Sequence, residues 1–384
     1  MKRVRNTAKS ASWFRSGTHR AGYALVLLLL AGCRAPERAQ RPRIGLVAGL
    51  SGATAAYGTA CRRGAELAID DARARGQNIE LQVDDDQGRP EQTANVAASL
   101  ITDPSLLAIV GADTSTGTMA MAPLAESNRI AIVSPTASAP IVTRGRHFVF
   151  RVCATDALEA LAATQLARER LHASRAVILR DTKNDYSVGI AETFVKAFTA
   201  RGGTVAGIFD YAAGDSDFRA QLTSAKALGP DVVLLPGYYG DVAQIAIQAH
   251  DLGMTMPLLG GSGWDSPKLV EIGGKALDGN WFVSWLRSPS ARFVSDFHKR
   301  YGVDPDGANA QAYDAVSIVA AAIARAGNDR VRVRDAIAST RNFDGVSGTI
   351  TIGPDGNARR ALGIFHVEGG KFVQVGVTKS EGSD

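Results

Sequence analysis

The strongest constraint on this fold is a strict alternation of short apolar runs with amphipathic stretches, run through once from residue 44 and again from residue 157. In the first pass, Ile44–Ala48, Ile79–Val83, Leu106–Val110 and Ile130–Val133 read as strands. Between them, Arg63–Arg75, Pro90–Ile101 and Thr116–Asn128 carry apolar residues at helical spacing. Gly76 stands where a helix stops and Pro90 where one starts, while Pro123 inside the third predicts a kink. In the second pass the helices are Ala157–Arg170, Val188–Arg201, Asp217–Leu228 and Asp241–Leu252. The strands are Ala176–Leu179, Thr204–Phe209, Asp231–Leu235 and Pro257–Leu259. Asp217 and Asp241 suit helix starts, and Gly229 and Gly253 suit helix stops. The tail adds helices near Ala291–Arg300, Ala308–Ala326 and Arg332–Thr340, then strands near Thr349–Ile352 and Gly363–Val367.

Alternation of this kind implies mainly parallel sheets with helices on both faces. The two passes echo each other. Tyr57–Gly58 ahead of a helix matches Tyr186, residues 109–111 match 235–237, and 132–134 match 258–260. The fold class is therefore α/β, with two Rossmann-like lobes, each built on a parallel-sheet core. Ligands of such sheets bind beyond the carboxyl ends of the strands. Two facing lobes would place both loop sets around one cleft.

The N-terminus reads as an address. Lys2, Arg3, Arg5, Lys9, Arg15 and Arg20 precede the apolar run Ala24–Ala31, and no acid interrupts them. A charged start, a short greasy core and small residues before Cys33 predict an export signal over residues 1–32. The run is shorter than the roughly 20 apolar residues of a permanent membrane span. Residues 33–42, polar and proline-bearing, read as a tether. The formal charge of +5 includes the six cationic residues of the signal, so the mature chain carries about −1. The basic balance gives no support for a nucleic-acid partner. Outside the cytoplasm, Cys61 and Cys153 can oxidise to a disulfide if they lie close enough; two free buried thiols are the alternative.

Catalytic patterns are missing. Residues 260–264 fail the nucleophile-elbow pattern at the last position, where Trp264 replaces glycine. No phosphate-binding glycine loop, zinc-binding His pair or Cys-x-x-Cys occurs, and the six His are scattered. Asp84–Asp85–Asp86 lacks the spaced oxygen ligands of a calcium loop and reads as capping and turn chemistry. No enzyme activity, metal or cofactor is expected.

Small, hydroxylic and aromatic residues stand at the strand ends instead. Asp113–Thr118 follows one strand and opens a helix, whose free N–H groups and serine or threonine hydroxyls can hold a carboxylate; plain helix capping explains the same residues. Ser134–Pro140 follows another strand, stiffened by two prolines. Tyr186 and Tyr238 follow matching strand ends of the second pass, and tyrosine joins an apolar face to a polar tip.

With these segments in order, the chain resembles the type I periplasmic binding proteins of the leucine/isoleucine/valine-binding family. The likeness is carried by residues 44–52 with Tyr57–Gly58, by 64–70, 83–86, 109–111 with Ser115, and 134–140. It continues through 150–153 with Asp156, Asp185–Tyr186, Gly237–Tyr238 and 260–265. The resemblance implies an extracytoplasmic solute-binding protein of an ABC importer, with two lobes hinged around an amino acid or similar small polar solute. It implies lobe 1 over 43–156 and 287–360, and lobe 2 over 157–286 and 361–384. Leu30–Cys33 resembles a lipobox, which would make Cys33 an acylated membrane anchor and place the protein in the periplasm or another extracytoplasmic space. Ser115, Thr136, Ala137 and Ser138 are implied to hold the ligand's carboxylate and amine, and Tyr57, Tyr186 and Tyr238 to form walls and lid. Family members that bind amino acids usually place an acid where Ser262 stands here, leaving Asp265 as the substitute. Membrane permease subunits are the implied partner. The same fold also serves in ligand-sensing or cell-wall-enzyme-regulating lipoproteins.

Overall fold

A computed structural model describes residues 41–286 and 290–378. Residues 1–40, which hold the expected signal, Cys33 and most of the expected tether, lie outside the described residues, as do 287–289 and the last six. From Arg41 onward the chain packs as one unit.

The first half builds a five-stranded parallel sheet. Its elements are β1 (Arg43–Ala48), α1 (Ala55–Ala74), β2 (Glu80–Asp85), α2 (Pro90–Ile101), β3 (Leu106–Gly111), α3 (Ser115–Asn128), β4 (Ala131–Ser134) and β5 (Val149–Arg151). The strand order is β2-β1-β3-β4-β5, and every pairing is parallel. β3 is buried along its whole length, as expected of a strand covered on both faces. α3 runs on through Pro123 to Asn128. The predicted start of α1 at Arg63 is corrected to Ala55. Residues 55–62 are mostly small; Tyr57, Gly58, Ala60 and Cys61 are buried and the other four half-buried, so no large apolar stripe marks the helix there.

The second half begins with α4 (Asp156–Gln165), which ends in a π-turn over Leu166–Arg170. Then come β6 (Arg175–Asp181), α5 (Asp185–Ala200), β7 (Thr204–Tyr211), α6 (Arg219–Ala227), β8 (Val232–Leu234), α7 (Tyr239–Asp251), β9 (Leu258–Gly260), α8 (Pro267–Gly273) and β10 (Trp281–Trp285). Phe218 and Tyr238 hold the cap positions; Asp217, just ahead of α6, accepts from Arg219 N–H at 3.1 Å, and Asp241 lies in the first turn of α7.

The tail serves both lobes. α9 (Ala291–Tyr301), α10 (Gly307–Ala326) and α11 (Arg330–Ala338) precede a small sheet of β11 (Phe343–Gly345), β12 (Gly348–Ile352) and β13 (Ala358–Arg359). Val316, Val319 and Ile323 of α10 join Ile44, Ile69 and Val110 in one core cluster. Next, β14 (Leu362–Glu368) pairs antiparallel with β10, and β15 (Lys371–Val377) with β14. The second sheet thereby reaches seven strands, ordered β15-β14-β10-β9-β8-β6-β7.

Cys61 and Cys153 are separate buried thiols. The Cys153 thiol is turned toward the Ala137 carbonyl at 3.5 Å, while Thr136 hydrogen-bonds Cys61, so each engages the 134–140 loop rather than the other.

Candidate functional site

The loops at the carboxyl ends of both sheets meet. Tyr57 stands in the first turn of α1, where Gly58 lets the helix sit against the loop after β1. A Cβ on Gly58 would lie 2.0 Å from the Gly49 carbonyl oxygen, so no other residue fits. Ser115 opens α3 behind its cap Thr114, whose hydroxyl accepts from Gly117 N–H at 3.2 Å. The Ser115 hydroxyl accepts from Ala139 N–H at 3.1 Å, which ties α3 to the proline-flanked loop after β4. Thr136 donates to the Asp113 carbonyl at 2.7 Å, and the Ser138 carbonyl accepts from Asp156 N–H at 2.9 Å.

From the other lobe, Tyr186 enters behind the helix cap Asn184, and Tyr238 caps α7. Their rings stack with centroids 5.6 Å apart and planes 10° from parallel. Tyr57 meets Tyr238 and Tyr239 edge-on at 5.5 and 5.1 Å. Its hydroxyl donates to the Gly263 carbonyl and accepts from Tyr239 N–H at 3.2 Å. Asp185 N–H adds another bridge to the Thr116 hydroxyl, at 3.4 Å. The lobes are closed on one another.

Between them lies a small cavity lined by Tyr57, Asp113, Ser115, Thr136, Ser138, Tyr186, Tyr238, Ser262, Gly263 and Trp285. Seven of the residues singled out from the sequence are in that wall. Two are not. Ala137 is buried in the loop's framework, its N–H on the Ser134 hydroxyl and its carbonyl on the Arg151 guanidinium at 2.9 Å. Asp265 accepts from the Ser284 hydroxyl at 2.8 Å and does not line the cavity.

Sequence reasoning passed over Asp113, Trp285 and Glu159. Asp113 accepts from Gly49 N–H at 3.1 Å; burial first, then repulsion from Asp86, pushes its carboxyl up to about 7. Trp285 contributes a buried indole N–H with no hydrogen-bond partner among the described residues. Glu159 lies wholly buried behind Ser262, whose N–H donates to Glu159 Oε2 at 2.9 Å. Burial raises its carboxyl to about 7, against the lowering pull of the Ser262 hydrogen bonds. The aromatic-rich run Trp281–Trp285 carries the apolar signal of a buried strand but was passed over, so Trp285 had no context.

The Asp84–Asp86 run caps and turns. Asp85 accepts from Leu50, Ser51 and Gln87 N–H groups, and Asp86 from Gly88 N–H and the Thr93 hydroxyl. Among the described residues no cluster of His, Cys, Asp or Glu could hold a metal ion.

A closed cleft between two parallel-sheet lobes, walled by hydroxyls, tyrosines, the Asp113 carboxyl and the Trp285 indole, is the arrangement of a solute-binding protein. Comparison with known proteins agrees. Residues 42–371 match the family model for periplasmic binding proteins, and the chain belongs to that family, in its leucine/isoleucine/valine-binding branch. It is 30% identical to the Leu/Ile/Val-binding protein BraC3 of Rhizobium johnstonii, over 86% of this chain and 92% of the relative. It is 35% identical to the leucine-binding protein LivK of Thermotoga maritima, with a TM-score of 0.84 over 88% of this chain and 98% of that one. The branched-chain amino acid substrate-binding protein LivJ of Streptococcus pneumoniae, solved in complex with isoleucine, is 29% identical with a TM-score of 0.84, over 88% and 99% of the two chains.

Proposed function

We propose that the protein captures a small amino acid of the branched-chain type in the interlobe cavity and delivers it to the membrane subunits of an ABC importer. The observation that carries this reading is the convergence of Ser115, Thr136 and Ser138 from one lobe with Tyr186, Tyr238 and Ser262 from the other around one small cavity. Ser115 already accepts from Ala139 N–H, which leaves its own proton for a ligand carboxylate. The relatives named for leucine, isoleucine and valine support the ligand class. Lobe 1, 43–156 with 287–360, closes on lobe 2, 157–286 with 361–384, about the three crossing segments. A lipid on Cys33 keeps the protein at the membrane surface where its permease sits, in the periplasm or its equivalent.

Calorimetric titration of the mature protein with leucine, isoleucine, valine and alanine tests the reading. Micromolar or tighter binding is expected, weakened by Ser115→Ala and Ser138→Ala. Affinity unchanged in both variants would remove the carboxylate end of the site from this cavity.

A further inference from the structure

Ser262 lines the cavity as a neutral residue, and behind it stands a wholly buried carboxyl. Glu159 lies in the first turn of α4. Its Oε2 accepts from Ser262 N–H, while its Oε1 makes no hydrogen bond among the described residues. Glu159 Oε2 and the Tyr186 hydroxyl converge on Gly261, where a Cβ would come within 2.8 and 2.5 Å of them. Tyr186 in turn lines the cavity and accepts from Gly263 N–H at 2.9 Å.

The charges facing Glu159 are of its own sign. They are Asp156 on the same helix and Asp265 after the Ser262 turn; Tyr186 from α5 and Cys153 after β5 are neutral neighbours. The nearby cation is Arg151, and its guanidinium is held by the Ala137 and Ala139 carbonyls and the Thr143 hydroxyl, where it acts on Asp156 and Cys153. Asp265 is engaged by Ser284. A buried carboxyl with an open oxygen and no countercharge is costly as an anion. A cation entering the cavity beside Ser262 and Tyr186 would relieve that cost.

We propose that Glu159 supplies the counter-charge for an ammonium group of the ligand, acting across the Ser262–Tyr186 wall and restricting the cavity to small ammonium-bearing acids. This rests on the cavity being the binding site. The carboxylate end of the ligand then lies toward Ser115 and its ammonium toward Ser262. Burial raises the Glu159 carboxyl and an adjacent ammonium would draw it down again, so ligand capture expels a proton. Affinity then rises with pH up to about 7 and levels off above it, falling about tenfold per unit on the acid side.

The test is calorimetric titration of the mature wild-type chain with the twenty common L-amino acids and with 4-methylpentanoate and benzoate, which keep the carboxylate but lack the amine. At least one amino acid is expected to bind, with its deaminated counterpart about 100-fold weaker or undetected. Binding at pH 6.5, repeated in buffers of different ionisation enthalpy, is expected to release a substantial fraction of one proton. E159Q keeps an acceptor for Ser262 N–H and is expected to lose about 100-fold for the amino acid, with the pH dependence flattened and the thermal melt retained. E159Q/S262E, which puts the acid in the wall itself, is expected to regain most of that loss. The proposal is overturned if no ammonium-bearing probe binds, if the deaminated acid binds as tightly as the amino acid, or if E159Q binds within threefold of wild type. It is also overturned if the wild type releases no proton, a readout that stands even if E159Q fails to fold. Failure of the cavity reading looks different: ammonium selectivity would persist while S115A, S138A and Y57F left affinity untouched.

Discussion

Removing one oxygen from Tyr57 isolates the energy that holds the lobes together. In Tyr57→Phe the ring keeps its edge-on contacts with Tyr238 and Tyr239, at 5.5 and 5.1 Å, so packing is preserved. What goes is the donation to the Gly263 carbonyl and the acceptance from Tyr239 N–H, both across the cleft. Each net hydrogen bond contributes about 0.5–1.5 kcal/mol, and both abandoned partners are buried, so the closed form loses about 1–3 kcal/mol. In the open form the same groups face water and lose nothing. If the ligand-free protein rests open, the whole difference falls on ligand affinity, a weakening of about 5- to 150-fold. It is expected in the dissociation rate, because encounter with the open cleft does not involve the hydroxyl. Stopped-flow fluorescence with calorimetry reads both. A Kd within twofold of wild type, or a loss confined to the association rate, would refute this account of closure.

Other predictions follow from single contacts. Gly64→Ala puts a methyl 2.0 Å from the Asn309 carbonyl oxygen, so α1 must part from α10; urea unfolding should show a loss of at least about 2 kcal/mol. Asp314→Ala strips Ser347 and the Val346 and Ser347 N–H groups of their acceptor and leaves Arg360 uncompensated, an expected loss of about 3 kcal/mol in the same assay. Asp113 and Glu159 are each pushed up to about 7 in the folded chain. The fold therefore holds more protons than the unfolded chain between about pH 4 and 7, and ligand-free stability declines through that window before flattening. Thermal melts from pH 4 to 8 should show this slope, reduced in Asp113→Asn.

Much of this was readable in the residues. Pro90–Ile101 was placed to the residue because a proline opens it and polar residues with Pro104 close it. The cleft walls were found because hydroxyls and tyrosines recur at equivalent strand ends. Three things were hidden. β10 is only five residues long and follows glycine-rich turns, so its aromatic run was passed over. β15 has polar and half-buried positions along a sheet edge, so its apolar signal is weak. Glu159 reads as an ordinary helix residue; only the fold brings it behind Ser262, 103 positions away. Asp265 was the nearer acid in sequence, yet Ser284 engages it and the cavity wall excludes it.

The way the tail is divided has a consequence for assembly. The first core needs Val316, Val319 and Ile350, and the second sheet gains its last two strands only at residues 362–377. Neither half can seal its interior while the final quarter of the polypeptide is missing. A chain cut near residue 300 would leave two unfinished lobes rather than one sound and one lost, and the two halves are bound to mature together.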